Sequence, residues 1–302
     1  MIDSRQEFTF AKLGEHDRAD LQQLAERVGW HFADEQVALL MAAGTVYGLH
    51  AAGAGRRELI GASAIYPYGR NLASLGIVMV SPEHQRQGIG TAVVRRCLAD
   101  VDPQAHVMLI ATPQGRPVYE SLGFRIVEQV HRYELDLASV ADGRRSHVAT
   151  ALRQDDLAAV VALDETASGG RREAAYQALW QIARIGVAVR DDGGHVRGFT
   201  FALRGTDRWL MGPVIADSVH MAAELVQAVV ERLHTEAFAC KPELTGGGTV
   251  RLDVPGQQAE FQASLQGLGF QETRQSPVMS FGGKTLPGHR DRMFAMIDPA
   301  LG

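Results

Sequence analysis

Residues 76–94 read GIVMVSPEHQRQGIGTAVV, and this stretch decides the fold class. The apolar run Ile77–Val80 predicts a strand, which Pro82 ends because proline cannot donate to a sheet ladder. Apolar residues with helical spacing follow from Thr91 to Leu98. A strand, a glycine-containing turn and a helix in direct succession predict an anion site, since the first N–H groups of a helix lack partners within it. The predicted ligand is a phosphate-bearing cofactor.

The spacing of the glycines excludes two common phosphate-binding motifs here. No GxxxxGK[ST] loop follows a strand, and Val93 stands where a dinucleotide fingerprint requires its third glycine. The pattern that remains is Val-x-Pro-x-x-Gln-x-x-Gly-x-Gly, which runs from Val80 to Gly90. It resembles the acetyl-CoA loop of the GNAT superfamily of N-acetyltransferases, which reads [Q/R]xxGx[G/A].

A second stretch downstream strengthens this resemblance. An apolar strand, His106–Ala111, precedes a helix that ends in YESLGF, similar to the second GNAT signature YxxxGF. The usual asparagine and alanine of that signature are Thr112 and Gly115 here, a departure that resembles tandem two-domain bacterial members of the superfamily. The resemblance is specific over residues 60–137 and implies that Tyr119 occupies the position of the family's general acid.

The resemblance implies an α/β fold with a mixed β-sheet flanked by helices. It also implies that acetyl-CoA is the cosubstrate and lies beside the strand that contains Val78. The residues assigned to the acetyl-CoA site on this basis are Val78, Met79, Val80, Gln85, Arg86, Gln87, Gly88, Ile89, Gly90 and Thr91.

The implied reaction is direct attack of a primary amine on the thioester. A lysine-type amine is protonated at neutral pH, with a pKa of ~10.4, and must lose a proton before it attacks. A tyrosine within hydrogen-bond reach can protonate the departing thiolate, and Tyr119 is the predicted donor. The alternative for Tyr119 is an aromatic side chain that only packs in the core.

The general base is not predicted, because Leu72–Val80 contains no acidic residue. Glu83, His84, Tyr66, Tyr68 and a chain of water molecules all remain open as the base. Trp30 and Phe32 follow the first predicted helix, in a segment that overhangs the acceptor site in the family. We predict that Trp30, Phe32 and Tyr66 contact the acceptor, although an aromatic plug between two helices is the alternative for Trp30 and Phe32.

Length and composition limit the function classes. A chain of 302 residues with 46% hydrophobic and 22% charged residues is typical of a globular protein with about two domains. A net charge of −5 argues against nucleic acid or an acidic membrane as an obligate partner. The opening MIDSRQEF lacks the apolar region of a signal peptide, so we expect a cytoplasmic protein. Cys97 and Cys240 form no disulfide framework, and the histidines show no metal-ligand spacing.

The sequence predicts two GNAT-like folds in tandem. Residues 1–137 form the predicted catalytic domain, 138–147 a linker, and 148–302 a degenerate second domain. The second unit has no glycine in the turn after Ile215, carries Asp217 there, and has Leu265 in place of the tyrosine. We therefore expect acetyl-CoA only in the first unit. Two roles remain open for the second unit: it packs on the first unit as a structural half, or it forms one wall of the acceptor pocket.

A binding module is the rival interpretation from another class. An acyl-CoA sensor would hold the cosubstrate without turnover, and the missing strand carboxylate leaves that reading open. The acceptor, a small-molecule amine or a protein lysine, is not identified by the sequence, and neither is the oligomeric state.

Overall fold

The computed structural model describes residues 8–52, 57–140, 148–239 and 248–302. Most of the predicted linker, residues 141–147, and Cys240 lie outside these ranges. The first half contains β1 (Phe8–Lys12), α1 (Arg18–Arg27), α2 (Asp34–Ala42), β2 (Thr45–Ala52), β3 (Arg57–Tyr68), β4 (Leu72–Val80), α3 (Ile89–Leu98), β5 (His106–Ile110), α4 (Arg116–Ser121) and β6 (Phe124–Asp136).

The second half follows a similar order of elements. It contains β7 (Thr150–Ala151), α5 (Leu157–Ser168), α6 (Glu173–Ile182), β8 (Ile185–Arg190), β9 (Val196–Arg204), β10 (Trp209–Ile215), α7 (Val219–Ala239), β11 (Thr249–Pro255), α8 (Ala259–Gly267), β12 (Gln271–Phe281) and β13 (Met293–Ala295). The predicted α/β class with a mixed sheet flanked by helices is confirmed.

All strands of the described residues belong to one sheet. Its order is β1-β2-β3-β4-β5-β12-β6-β11-β10-β9-β8-β7, and β13 pairs with β10 beside this path. Strand β12 of the second half therefore lies between β5 and β6 of the first half. Strand β6 of the first half in turn lies between β12 and β11 of the second. The two halves exchange one strand each, so the sheet is interlocked at its centre.

The pairing at this exchange is extensive. Strand β6 pairs with β11 from Thr249↔Asp136 to Pro255↔Val130. It pairs with β12 from Gln271↔Glu134 to Phe281↔Phe124, on its opposite edge. The exchange covers edges that β5, β6 and β11 would otherwise expose, which is a common reason for strands to recruit a partner.

The helices that cover the sheet also join the two halves. Leu39 and Leu40 of α2 belong to the same buried cluster as Tyr176 and Leu179 of α6. Cys97 on α3 is fully buried, as expected for a small core residue. Among the described residues, no helix combines the length and apolar character needed to span a bilayer.

Candidate active site

A wedge opens between β4 and β5 because the two strands pair over only three residues. The parallel register runs from Leu72↔His106 to Ser74↔Met108. Beyond Ser74, β4 stays paired with β3, whereas β5 pairs with β12 from Ile110 to Met108. Leu75, Gly76, Ile77 and Val78 then line a cavity of about 450 Å³. The divergence leaves backbone groups on the β5 side of β4 free for a ligand.

A bulge redirects β4 within this wedge. Its register with β3 shifts between Ala62↔Met79 and Ala64↔Gly76, and Ile77 has a φ of 45°. Positive φ is costly for a β-branched residue, and such strain occurs most often at functional sites. The bulge re-aims the backbone near Val78, a half-buried residue of the cavity lining.

The glycine turn after β4 has the backbone shape of an anion site. Gly88 precedes α3 with a φ of 84°, in the left-handed region that glycine tolerates best. In the described part of the chain, no protein acceptor pairs with the backbone N–H groups of Ile89, Gly90 and Thr91. These groups lie at the positive end of the helix dipole. The exposed Arg86 adds a cation to the same turn.

The other predicted cosubstrate residues divide into two sets. Gln85 Nε2 donates to the Val80 carbonyl at 3.3 Å, and Gln87 Nε2 donates to the Glu83 carbonyl at 3.3 Å. These side chains therefore hold the loop in shape. Met79 and Ile89 are buried in the core, so they can offer a ligand only backbone atoms.

Tyr119 lies on α4 and lines the same cavity as the β4 bulge. Its side chain is only 6% exposed and packs against Phe124 with ring centroids 6.1 Å apart. Burial raises the pKa of the Tyr119 hydroxyl, which keeps it protonated at neutral pH. A protonated hydroxyl in a cavity can donate a proton to a departing anion.

Two of the three predicted acceptor-binding residues line the cavity, and the third does not. Trp30 and Phe32 both line the cavity, with ring centroids 5.9 Å apart in an edge-to-face contact. Tyr66 is fully buried and lies outside the cavity lining. A direct contact between Tyr66 and an acceptor therefore stays a prediction that its burial does not favour.

The second half supplies the opposite wall of this cavity. The lining includes the β9–β10 turn at Gly205–Arg208, Arg251 on β11, Arg274 on β12 and the segment Asp298–Ala300. Ala300 approaches β4 closely, since a Cβ added to Gly76 would lie 2.6 Å from Ala300 Cβ. Sequence reasoning missed these residues, because no local signal indicates that residue 300 lies against residue 76.

Two acidic residues, Asp207 and Asp298, line the cavity on this wall, and Asp207 is paired with Arg208. Gln36 Nε2 donates to Asp298 Oδ2 at 2.8 Å, and the Ala300 N–H donates to Oδ1 at 2.8 Å. The residue is half-buried and faces the cavity. Burial raises the pKa of the Asp298 carboxyl above its ordinary value, although these hydrogen bonds and Arg251 oppose the rise. Asp298 was not among the candidate general bases considered from the sequence.

Comparison with known families agrees with this geometry. Two family models, both described as an acetyltransferase (GNAT) domain, match residues 23–134 and 160–295. The chain belongs to the GNAT acetyltransferases. It therefore carries two GNAT domains in tandem and is an acyltransferase of that family, whose members use acetyl-CoA as cosubstrate.

Relatives of similar length support the tandem arrangement. The chain is 27% identical over 292 residues to the uncharacterized N-acetyltransferase YitH of Bacillus subtilis, covering 96% of this chain and 97% of YitH. A crystal structure from Pyrococcus horikoshii matches with a TM-score of 0.76 at 19% identity, over 98% of this chain and 96% of that one. A tandem GNAT protein from the clavulanic acid biosynthesis pathway matches with a TM-score of 0.65 at 15% identity, over 93% and 100% of the chains.

The second GNAT domain contains a corresponding wedge, but the chain itself fills it. Strands β10 and β11 pair in parallel only at Trp209↔Val250 and Leu210↔Arg251. Beyond that point β13 pairs with β10, and the Met296 N–H donates to the Asp253 carbonyl of β11. The place that corresponds to the β4–β5 wedge is thus occupied by protein.

The turn after β10 also differs from its counterpart. Asp217 pairs with Arg197 at 2.5 Å and also with Arg292, so its charge is offset by two guanidinium groups. Its repulsion of a phosphate is weaker than the sequence alone implied. Ser218 Oγ accepts from the Met221 N–H at 3.3 Å, as expected for an N-cap. The β13 segment is the stronger obstacle to a second cosubstrate.

Proposed function

We propose that the protein transfers the acetyl group of acetyl-CoA to a primary amine by direct attack, with Tyr119 as general acid. The observation that carries this proposal is the single cavity that joins the β4–β5 wedge to Tyr119 and to a wall from the second domain. The wedge and a proton donor meet there, and the glycine turn follows the same strand at the N-terminus of α3. The cytoplasmic location expected from the sequence stays a prediction.

The residues around the wedge fit acetyl-CoA. The free N–H groups at Ile89, Gly90 and Thr91, together with Arg86, suit the pyrophosphate. Val78 of β4 lines the cavity, the neighbouring Met79 and Val80 pair with β3, and Gln85, Gln87 and Gly88 shape the turn. Acetyl-CoA supplies the activated acetyl group. An N–H preorganised near the thioester carbonyl contributes roughly 3–4 kcal/mol to oxyanion stabilisation in other enzymes.

Tyr119 and Asp298 divide the two proton transfers in this proposal. The Tyr119 hydroxyl gives its proton to the departing CoA thiolate. The Asp298 carboxylate accepts a proton from the acceptor ammonium, which frees the nitrogen lone pair for attack. A carboxyl group whose pKa is raised by burial is a better base at neutral pH than an ordinary one. Gln36 holds the Asp298 carboxylate by a hydrogen bond and so fixes its orientation.

Both domains form the acceptor site in this proposal. Trp30 and Phe32 provide an aromatic wall that suits an alkyl amine or a ring. The second domain closes the other side with Asp207, Arg208 and the Asp298 segment. A small-molecule amine matches a cavity of about 450 Å³ that is walled from both sides.

The test is release of CoA thiol from acetyl-CoA in the presence of a panel of amines. Turnover that depends on the amine, with an acetylated product seen by mass spectrometry, supports the acetyltransferase. Tight binding of acetyl-CoA without turnover on any amine would favour the rival sensor function. The Tyr119→Phe variant separates enzymatic turnover from a contaminating activity.

A further inference from the structure

Three arginines lie side by side at the acceptor end of the cavity. Arg274 on β12 is directly opposite Arg132 on β6, and Arg132 is directly opposite Asp253 on β11. Arg251 precedes Asp253 by two residues, so both side chains share one face of β11. Arg132, Arg251 and Arg274 all line the cavity. The strand exchange brings them together, since it places β6 between β12 and β11.

The charge of this guanidinium cluster, Arg132, Arg251 and Arg274, is not balanced by the protein around it. Arg132 Nε donates to Asp253 Oδ1 at 2.9 Å, and Arg251 Nη2 donates to Asp253 Oδ2 at 2.5 Å. Arg274 is exposed and has no ion pair among the described residues. Asp253 is the carboxylate that forms ion pairs with the cluster, and Asp298 interacts electrostatically with Arg251, so three guanidinium groups face two carboxylates.

The neighbouring arginine on this wall is different, because its charge is satisfied. Arg208 pairs with Glu134 at 2.5 Å and with Asp207 at 2.6 Å. This contrast places the excess of positive charge at the guanidinium cluster. The effect is visible at Arg132, where burial lowers the pKa and the charges of Arg251 and Arg274 lower it further, against the opposing effect of Asp253.

Such a cluster is unfavourable without a bound anion. Like charges directly opposite each other on neighbouring strands, as at Arg132 and Arg274, destabilise a sheet. Guanidinium groups bind carboxylate and phosphate oxygens through parallel hydrogen bonds, which suits them to anion recognition. The cluster opens into the acceptor end of the cavity, so the compensating anion can come from the acceptor.

We propose that the acceptor is an amine that also carries an oxyanion, either a carboxylate or a phosphate-type group, which is bound by Arg132, Arg251 and Arg274. This inference rests on the proposed acetyl transfer. The acceptor then spans the wall of the second domain, with its ammonium group at Asp298 and its oxyanion at the guanidinium cluster. The second domain becomes the part of the protein that recognises the acceptor, although it binds no CoA of its own.

The test uses matched triplets of acceptors in the thiol-release assay. Each triplet contains an α-amino acid, the amine that lacks its carboxylate, and the aminophosphonate that replaces the carboxylate. We expect kcat/KM to be about 10- to 100-fold higher for an anionic member than for the neutral amine, the range expected for a charged hydrogen bond. The preference between carboxylate and phosphonate identifies the oxyanion.

The Arg274→Gln variant removes the unpaired member of the cluster. It should raise KM for the anionic acceptors about 10-fold and leave the neutral amines unchanged, and Arg274→Lys should restore part of the loss. Arg184→Gln changes an exposed arginine outside the cavity lining and serves as the matched control. A loss that is equal for neutral and anionic acceptors would contradict the proposal, because it would indicate a structural role.

The outcomes separate this inference from the acetyl transfer itself. If neutral amines are acetylated as well as the amino acids and aminophosphonates, the oxyanion site is wrong and the acetyltransferase stands. If no triplet turns over while acetyl-CoA binds, acetyl transfer to these amines fails. Calorimetric titration of the same amino acids and aminophosphonates into CoA-loaded protein then decides the oxyanion site. Binding that Arg274→Gln abolishes supports the site, and absence of binding overturns it.

Discussion

Tyr119 and Asp298 reach one cavity from distant parts of the chain, and burial changes the proton affinity of both in a useful direction. It raises the pKa of the tyrosine, so the hydroxyl is protonated at neutral pH. It raises the pKa of the aspartate, so the carboxylate holds a proton more strongly than an exposed one. Both shifts suit the proposed reaction, in which Tyr119 donates a proton and Asp298 accepts one.

Replacement of Tyr119 by phenylalanine should reduce kcat by about 10²–10⁴-fold, the usual contribution of a general acid. The hydroxyl has no hydrogen-bond partner among the described residues, so the ring packing against Phe124 is kept. The dissociation constant of acetyl-CoA should stay near that of the wild type, because the interaction strengthens only as the thiolate forms. Steady-state kinetics and calorimetry measure the two effects.

Tyr176→Phe is the matched control for this variant. Tyr176 is also buried but lies outside the cavity lining. Activity of Tyr119→Phe within about threefold of the wild type, well below the usual contribution of a general acid, would assign Tyr119 to packing alone.

Asp298→Asn should lower activity and raise stability at neutral pH. The folded pKa of Asp298 is raised, so its stabilising contribution is complete below the ordinary pKa of about 3.9 and is lost as pH rises through the folded value. At pH 7 the wild type retains an ionised, partly desolvated carboxylate near Asp253, a cost that the Ala300 N–H, Arg251 and Gln36 offset only in part. The neutral asparagine avoids that cost.

The measurement is the melting temperature of both proteins as a function of pH. The advantage of Asp298→Asn should be largest at neutral pH and shrink as pH falls toward 4, where the wild-type carboxyl is protonated. In the wild type, kcat/KM should rise with pH as Asp298 ionises, and this limb should disappear in the variant. A variant that melts below the wild type at pH 7 would contradict the reasoning.

At the scale of elements, local sequence signals predicted the strand, turn and helix of the proposed cosubstrate side. The strand at Ile77–Val80, the glycine turn and the helix that starts near Thr91 all occur where their residue types require them. The acceptor side depends instead on long-range pairing. Arg274 meets Arg132 only because β12 enters between β5 and β6, and no periodicity within β12 specifies that position.

Gly90→Val should abolish acetyl-CoA binding without unfolding the protein. A Cβ at Gly90 would meet Val80 at 3.8 Å and Val118 at 4.0 Å, which are ordinary contacts, so the fold tolerates it. The branched side chain would nevertheless project between the N-terminus of α3 and the end of β4, where the phosphates are expected. Calorimetric titration with acetyl-CoA measures the loss.

Gly267→Val provides a matched control for this loop variant. Gly267 also lies in a helix, and no atom comes within 4 Å of an added Cβ. Gly88 is a poorer choice for the test, because its φ of 84° strains any branched residue and mixes folding with binding. If folded Gly90→Val protein binds acetyl-CoA with near-native affinity, the glycine turn is not the binding site of the phosphates.

At the scale of the whole molecule, the wedge of the second domain is filled by β13, and the same domain helps to line the cavity of the first. The missing glycines and Asp217 predicted from the sequence that the second domain binds no acetyl-CoA. The sequence could not predict that Met293–Ala295 fills the second wedge, because that short segment gains its place only by pairing with β10. The same segment continues to Asp298 and Ala300, which complete the first cavity. One segment, residues 293–300, therefore both fills the wedge of the second domain and lines the cavity of the first.

We predict one acetyl-CoA per chain, bound in the first domain. The β13 segment occupies the second wedge through hydrogen bonds to β10 and β11, and displacing it would break part of the sheet. Native mass spectrometry with excess acetyl-CoA should show a single adduct in the wild type and none in Gly90→Val. Two adducts would show that the second wedge opens.

The interlocked sheet predicts that the two domains unfold together. Separation of the halves would remove β12 from β5 and β6, and β6 from β11, so each half would lose the strands at its centre. Calorimetry of the full chain should therefore give one transition, with the calorimetric and van't Hoff enthalpies close to equal. The fragment 1–140 alone should fail to fold, and co-expression with 148–302 should restore it. Two separate transitions, or an independently folded 1–140 fragment, would mean that the strand exchange does not couple the domains. The predicted boundary between residues 137 and 148 would then separate two independent folding units.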